Sequence, residues 1–322
     1  MTTTNELRME LPFPSVERPR LRVEAHACKE EPAWWRPDRL SQVDVRLRPV
    51  PEGEAPHLLA RELDPGAVEV DAHGDELTVT IRPPQDGWLG VFGGSRRADV
   101  TLYVPQPLQA AVRVPAGSID AEGLHGADLE LRNTGGSVRA VGVQGRLEVR
   151  ARAGRVEVER CSGTLDLRSD VGRVAVTDAS GKLEARSEVG RIEVQGFSGS
   201  LAVRSNVGAV DLDLAELTPG SHEVRSNVGH VRVRLPHGAP VHVAIRTDVG
   251  RVHNRFPPAA SPKATLEIRT SVGGVTVEPS GSPADVEERR RRREEERMRI
   301  LTMVEQREIS AQEAADLLES LE

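Results

Sequence analysis

Residues 165–176 read LDLRSDVGRVAV, residues 183–194 read LEARSEVGRIEV and residues 201–212 read LAVRSNVGAVDL. The three stretches share one frame: an apolar residue every second position, then Arg-Ser, a short Val-Gly step, and a second apolar alternation. The frame extends in both directions. Upstream lie 129–140 (LELRNTGGSVRA) and 147–158 (LEVRARAGRVEV). Downstream lie 222–233 (HEVRSNVGHVRV), 243–254 (VAIRTDVGRVHN) and 266–277 (LEIRTSVGGVTV). The arginine of each unit falls at 132, 150, 168, 186, 204, 225, 246 and 269, so the spacings are 18, 18, 18, 18, 21, 21 and 23. A near-fixed period of this size marks a stacked array.

Inside a unit the period is 2. Leu147 and Val149 share one side and Glu148 and Arg150 the other; after the turn, Val156 and Val158 point in while Arg155 and Glu157 point out. That is the pattern of a half-buried strand. Gly154, Gly172, Gly190, Gly208, Gly229, Gly250 and Gly273 recur at the turn, where a positive φ or a close backbone approach excludes a Cβ. A second column, Gly126, Gly145, Gly163, Gly181 and Gly199, marks the turn between units. The extra residues of the longer units fall at this second turn, as a stacked array tolerates. The pattern predicts a mainly β protein: a β-solenoid with one coil per 18 residues, or alternatively an antiparallel meander with two strands per 18. The solenoid is favoured because it stacks like residues in columns.

Composition agrees. The chain has 322 residues but only eight aromatics, with 29 glycines, which suits a thin core of repeated short strands. The net charge of −7 argues against a strongly basic nucleic-acid-binding domain. Cys28 and Cys161 form neither a disulfide framework nor a zinc site. The first residues lack a signal-peptide pattern, and no window approaches 18 apolar residues. The expected compartment is therefore the cytoplasm, with the cell surface by a signal-less route as the alternative.

Together, 67–71 (AVEVD), 77–82 (LTVTIR), 99–105 (DVTLYVP), 112–123 (VRVPAGSIDAEG) and the VRSxVGxVxV units resemble the DUF4097 β-strand-repeat family, whose members also carry the label "putative adhesin". The resemblance spans roughly 60–278. It implies a right-handed β-helix and a binding or scaffold role without catalytic residues, in envelope-stress response, with a surface adhesin or envelope ligand sensor as the alternative. The expected organisation is N-terminal strands and capping loops over 1–60, the solenoid over 61–278, a linker over 279–284 and helices over 285–322.

The C-terminal helices rest on a shift in composition. Residues 285–299 (DVEERRRRREEERMR) hold seven arginines and six acids, and their i,i+4 pairs read as a solvated helix. Ile300, Leu301, Met303 and Val304 form an apolar stripe. Ser310 and Glu313 form a capping box, and Ala314, Leu317, Leu318 and Leu321 give a second apolar face. The segment is similar to SHOCT-like helical hairpins. That similarity implies self-association or a protein partner through Ile300, Leu301, Val304, Ile309, Leu317, Leu318 and Leu321.

Candidate chemistry is sparse. The outward column Arg150, Arg168, Arg186, Arg204, Arg225, Arg246 and Arg269 could take an anionic polymer or a membrane surface. The plainer reading is a salt-bridge ladder with Glu148, Asp166, Glu184, Glu223 and Glu267. Acids recur evenly along the rod, unlike the isolated pair a glycosidase needs, so no enzyme, metal or cofactor is expected. His222, His230, His237, His242 and His253 read as exposed and neutral. Ser169, Ser187, Ser205, Ser226, Thr247 and Thr270 read as hydrogen-bonding the turn backbone. Trp34, Trp35 and Trp88 read as caps on the open solenoid end.

Overall fold

A computed structural model describes residues 6–14, 16–26, 42–61, 63, 65–82 and 97–280. Cys28, the three tryptophans and the whole C-terminal hairpin lie outside them. The described part is almost entirely strand. Its first half runs β1 (Glu6–Glu10), β2 (Arg20–Ala25), β3 (Gln42–Pro49), β4 (His57–Arg61), β5 (Val68–His73), β6 (Glu76–Ile81), β7 (Arg97–Val104), β8 (Gln109–Glu122) and β9 (Ala127–Val141). Then follow β10 (Gln144–Glu159), β11 (Ser162–Thr177), β12 (Ser180–Val207), β13 (Val210–Leu217), β14 (Gly220–Val228) and β15 (Val231–Pro236). The last are β16 (Val241–Val249), β17 (Val252–Asn254), β18 (Ala264–Val272) and β19 (Val275–Ser280).

The repeats pair in parallel, one whole coil against the next. Leu147 lies opposite Leu165, Arg150 opposite Arg168, Gly154 opposite Gly172 and Val158 opposite Val176. This is a β-solenoid; parallel register excludes the meander, whose neighbouring strands would run antiparallel. Each coil has two arms. In β11, Leu165, Leu167 and Ser169 of the first arm and Val174 and Val176 of the second are buried in one core. Each buried Leu or Val contributes about 1.5–3 kcal/mol of transfer free energy.

The corner between the arms requires glycine. At Gly190, φ is +147°, and a Cβ would lie 1.7 Å from the carbonyl oxygen of Gly172 in the coil before. Nine glycines from Gly117 to Gly273 occupy this corner among the described residues. At the other turn, Gly145 stands opposite Ala127 and not Gly126, so the second glycine column begins one coil later than the sequence indicates.

Coil order departs from chain order at both ends. The last coil, β18–β19, sits between β14–β15 and β16–β17. The first coil, β2–β3, sits between β6–β7 and β8. Beyond them, antiparallel strands β5, β4 and β1 cover the N-terminal end. At the C-terminal end β16 pairs, among the described residues, only with β18.

Candidate anion-binding surface

The alternation places the seven candidate arginines on the outer side of the first arm, in one file. Arg150, Arg168 and Arg186 are in direct register, as are Arg204, Arg225, Arg269 and Arg246 in that spatial order. Most carry a counter-ion of their own. Arg150 lies 2.7 Å from Glu148 and Arg168 2.8 Å from Asp166. Arg269 makes two bonds to one oxygen of Glu267, the shorter 2.6 Å. Arg186 pairs with Glu184. Arg204, with Ala202 where the acid would be, reaches 3.2 Å to Glu223, which also holds Arg225. The hydrogen bond from Arg269 keeps the Glu267 carboxyl below the usual carboxylate range, and the bond to Asp166 raises the Arg168 guanidinium further. Arg246 has Ala244 in the acid's place and no ion pair among the described residues.

The second arm carries a feature that the sequence reading missed. Where β19 runs between β15 and β17, its outward residues are Thr276 and Glu278, with Gly274 just before it. On one side stand His230, Arg232 and Arg234; on the other, His253 and Arg255. Short residues between long basic ones leave a groove of about 390 Å³. Its ion pairs are long: Arg232 to Asp211 3.5 Å, Arg234 to Asp213 3.6 Å and Arg255 to Glu278 3.6 Å. Nothing in the sequence order shows this, because the coil 264–280 reaches the middle only through the interleaved topology.

A second groove, of about 450 Å³, lies over the N-terminal coils between Arg46, Arg48, Leu59, Asp99 and Tyr103. Its arginines are engaged: Arg46 with Asp99 at 2.9 Å, and Arg48 with Asp120 at 2.9 Å and Glu122 at 3.0 Å.

Two sequence expectations are corrected. His222 is buried, not exposed, at a position that is Leu in 165, 183 and 201. Its Nδ1 accepts the Leu201 amide at 3.2 Å and its Nε2 faces the Thr218 carbonyl at 2.8 Å, so the ring serves backbone groups beside the 217–221 insertion. The Ser/Thr column does not bond the turn. The hydroxyls of Ser169, Ser187, Ser205, Ser226, Thr247 and Thr270 are buried without a hydrogen-bond partner among the described residues. Corner amides such as those of Gly208, Gly229 and Gly273 already donate to the Val228, Val272 and Val249 carbonyls of the neighbouring coil.

Among the described residues, no three His, Cys, Asp or Glu side chains cluster as a metal site. No helix there is long and apolar enough to cross a membrane. Burial raises the Cys161 thiol, which is enclosed near Glu159, Ala140 and Val143, so it is not poised as a nucleophile.

The SHOCT-like domain family matches residues 295–322, and Toastrack DUF4097 matches residues 42–278. No curated protein matches the chain. Among solved structures, a "putative adhesin" from Bacteroides fragilis is 12% identical, with 86% of this chain and 98% of that one covered at a TM-score of 0.43. A "putative adhesin" from Parabacteroides merdae is 12% identical over 86% and 96%, at 0.33. A "putative lipid binding protein" from Parabacteroides distasonis is 11% identical over 85% and 97%, at 0.32. With the family matched across most of its length, and the repeats folded as a solenoid, the chain belongs to the Toastrack DUF4097 family.

Proposed function

We propose that this protein is a non-catalytic interaction protein that binds an anionic ligand through the basic groove of its C-terminal coils. The groove carries the reading. His230, Arg232, Arg234, His253 and Arg255 converge around Thr276, with Glu278 as the acid in the lining. In a chain of net charge −7, three guanidiniums, Arg232, Arg234 and Arg255, gather here with long, weak ion pairs. Guanidinium forks suit phosphate and carboxylate oxygens. The arginine column is the longer and weaker candidate, because its acids compete with any polyanion.

Residues 295–322 supply the second half of the proposal. A SHOCT-like segment is suited to self-association or to recruiting a protein, which would make the solenoid a scaffold, in the cytoplasm or in an envelope-stress pathway. The test uses the full chain and long-chain inorganic polyphosphate. Binding should weaken steeply with salt, as counter-ion release requires. R232S/R255S should weaken it by at least about tenfold and R168S should change it little. Equal losses from both variants would move the site to the column, and no binding at low salt would reject the anionic ligand.

A further inference from the structure

Eight large apolar side chains are exposed among the described residues, and six of them form one file: Val171, Val189, Val207, Val228, Val272 and Val249. They stand at the glycine corner, one residue before each corner glycine. Val171 is in register with Val189, Val207 with Val228, Val228 with Val272 and Val272 with Val249. Val189 and Val207 are joined by the stacking of Gly208 on Gly190. Each valine is between 44% and 64% exposed. At about 4.8 Å per coil, the file is a ridge about 24 Å long. Isolated exposed valines are ordinary; a continuous apolar line marks a contact surface.

The flanks identify the occupant. On the first-arm side stand Asp170, Glu188, Asn206, Asn227, Ser271 and Asp248. On the second-arm side stand Arg173, Arg191, Ala209, His230, Gly274 and Arg251, coil for coil. Each coil with an acid on one flank has an arginine on the other, and the three without an acid have no arginine. Asp170, Asp248 and Arg251 have no ion pair among the described residues, whereas Arg173 and Arg191 share Glu193 of their own chain, which a partner's acid would have to supplement. The geometry points to a second copy of this chain seated ridge to ridge, with the twofold axis along the solenoid. Only that arrangement sets the acidic flank of one copy against the basic flank of the other, level by level. An antiparallel pair would face acid with acid.

The seam has a natural limit. In the coil before Val171, Ala153 replaces the valine and is flanked by Arg152 and Arg155, which would repel their counterparts. Acids beside the valines also disfavour an anionic membrane. The seam is a single ridge, narrower than a standard interface of about 800 Å² per partner, so a weak dimer is expected.

Sedimentation of the full chain between about 5 µM and about 500 µM should show reversible dimers. V189E/V207E, at exposed positions, should weaken dimerisation at least about tenfold. D170R alone should weaken it, because it sets cation against cation, and D170R/R173D should restore it. A monomer throughout the range, dimers indifferent to the valine change, or failure of the double reversal to restore association would overturn the proposal. So would binding to phosphatidylglycerol vesicles that is lost in V189E/V207E while the wild type stays monomeric, which would assign the ridge to a lipid surface.

Discussion

Arg225 lies in register with Arg269 and not with Arg246, its successor in the repeat. The final coil is thereby paired on both sides, and the coil before it becomes the edge of the described coils. The first coil is buried in the same way at the other end. A terminal coil with neighbours on both faces cannot fray without opening two ladders, which is one way a solenoid protects its ends.

This order predicts an inversion in hydrogen exchange. Amides of β18, nearest the C-terminus of the described strands, should exchange more slowly than those of β16, although β16 precedes it in sequence. Exposed edge strands open with lower free energy than paired ones. Peptide-resolved exchange across 241–249 and 264–272 decides the matter. Slower exchange in 241–249 would mean that the coils stack in chain order.

The corner glycines predict a large and specific loss. Gly190→Ala places a methyl 1.7 Å from a carbonyl oxygen at φ +147°, so both clash and backbone strain apply. We expect at least about 3 kcal/mol of destabilisation in denaturant titration. Gly220→Ala is the control: its φ is +133°, but nothing lies within 4 Å. It should cost only the strain, about 1–3 kcal/mol. Equal losses would show that the close approach of Gly172 is irrelevant.

Much of this was legible because a fixed period returns each residue type to one environment. Leu165, Leu167, Val174 and Val176 are buried as their alternation requires. Coil order was not legible: any VRSxVGxVxV coil can pair in parallel with any other, so local pattern carries no information about neighbours. The basic groove inherits that blindness, since Thr276 meets Arg232 and His253 only through the interleaving. The valine ridge was hidden for another reason. Val171 shares the odd inward phase of Leu165, Leu167 and Ser169, yet the inward phase becomes even at Val174. That switch of parity was the available sign that the corner turns Val171 outward.

The buried hydroxyl column predicts a mild outcome where burial alone would suggest a severe one. Ser187 is 3% exposed and its Oγ has no partner among the described residues. Removing an unsatisfied hydroxyl relieves a desolvation penalty and loses no hydrogen bond. Ser187→Ala should therefore leave stability within about 1 kcal/mol of wild type, or raise it. A loss beyond about 2 kcal/mol would show that the hydroxyl is bonded after all.

Asp44 clasps the interleaved first coil, and its effect should depend on pH. It lies on β3 and is 2% exposed. It accepts from Arg97 on β7, and from the Ser118 amide at 2.8 Å and hydroxyl at 2.5 Å on β8, so one carboxylate ties three coils. Burial alone would raise its pKa; the bonds from Arg97 and Ser118 outweigh that and hold it below the ordinary value of 3.8. A carboxyl whose pKa falls on folding stabilises the fold above its unfolded value, and the stabilisation is lost as pH falls through the folded value. The sign follows: Asp44→Asn should be destabilising at neutral pH, by about 1.5–3 kcal/mol for charge-assisted hydrogen bonds. The gap from wild type should hold down to the ordinary carboxylate range and close below it. Urea titrations of both proteins between neutral pH and strong acid would show the convergence. A gap that persists unchanged in acid would mean that Asp44 acts by packing alone, and that its charge does not hold β3 between its neighbours.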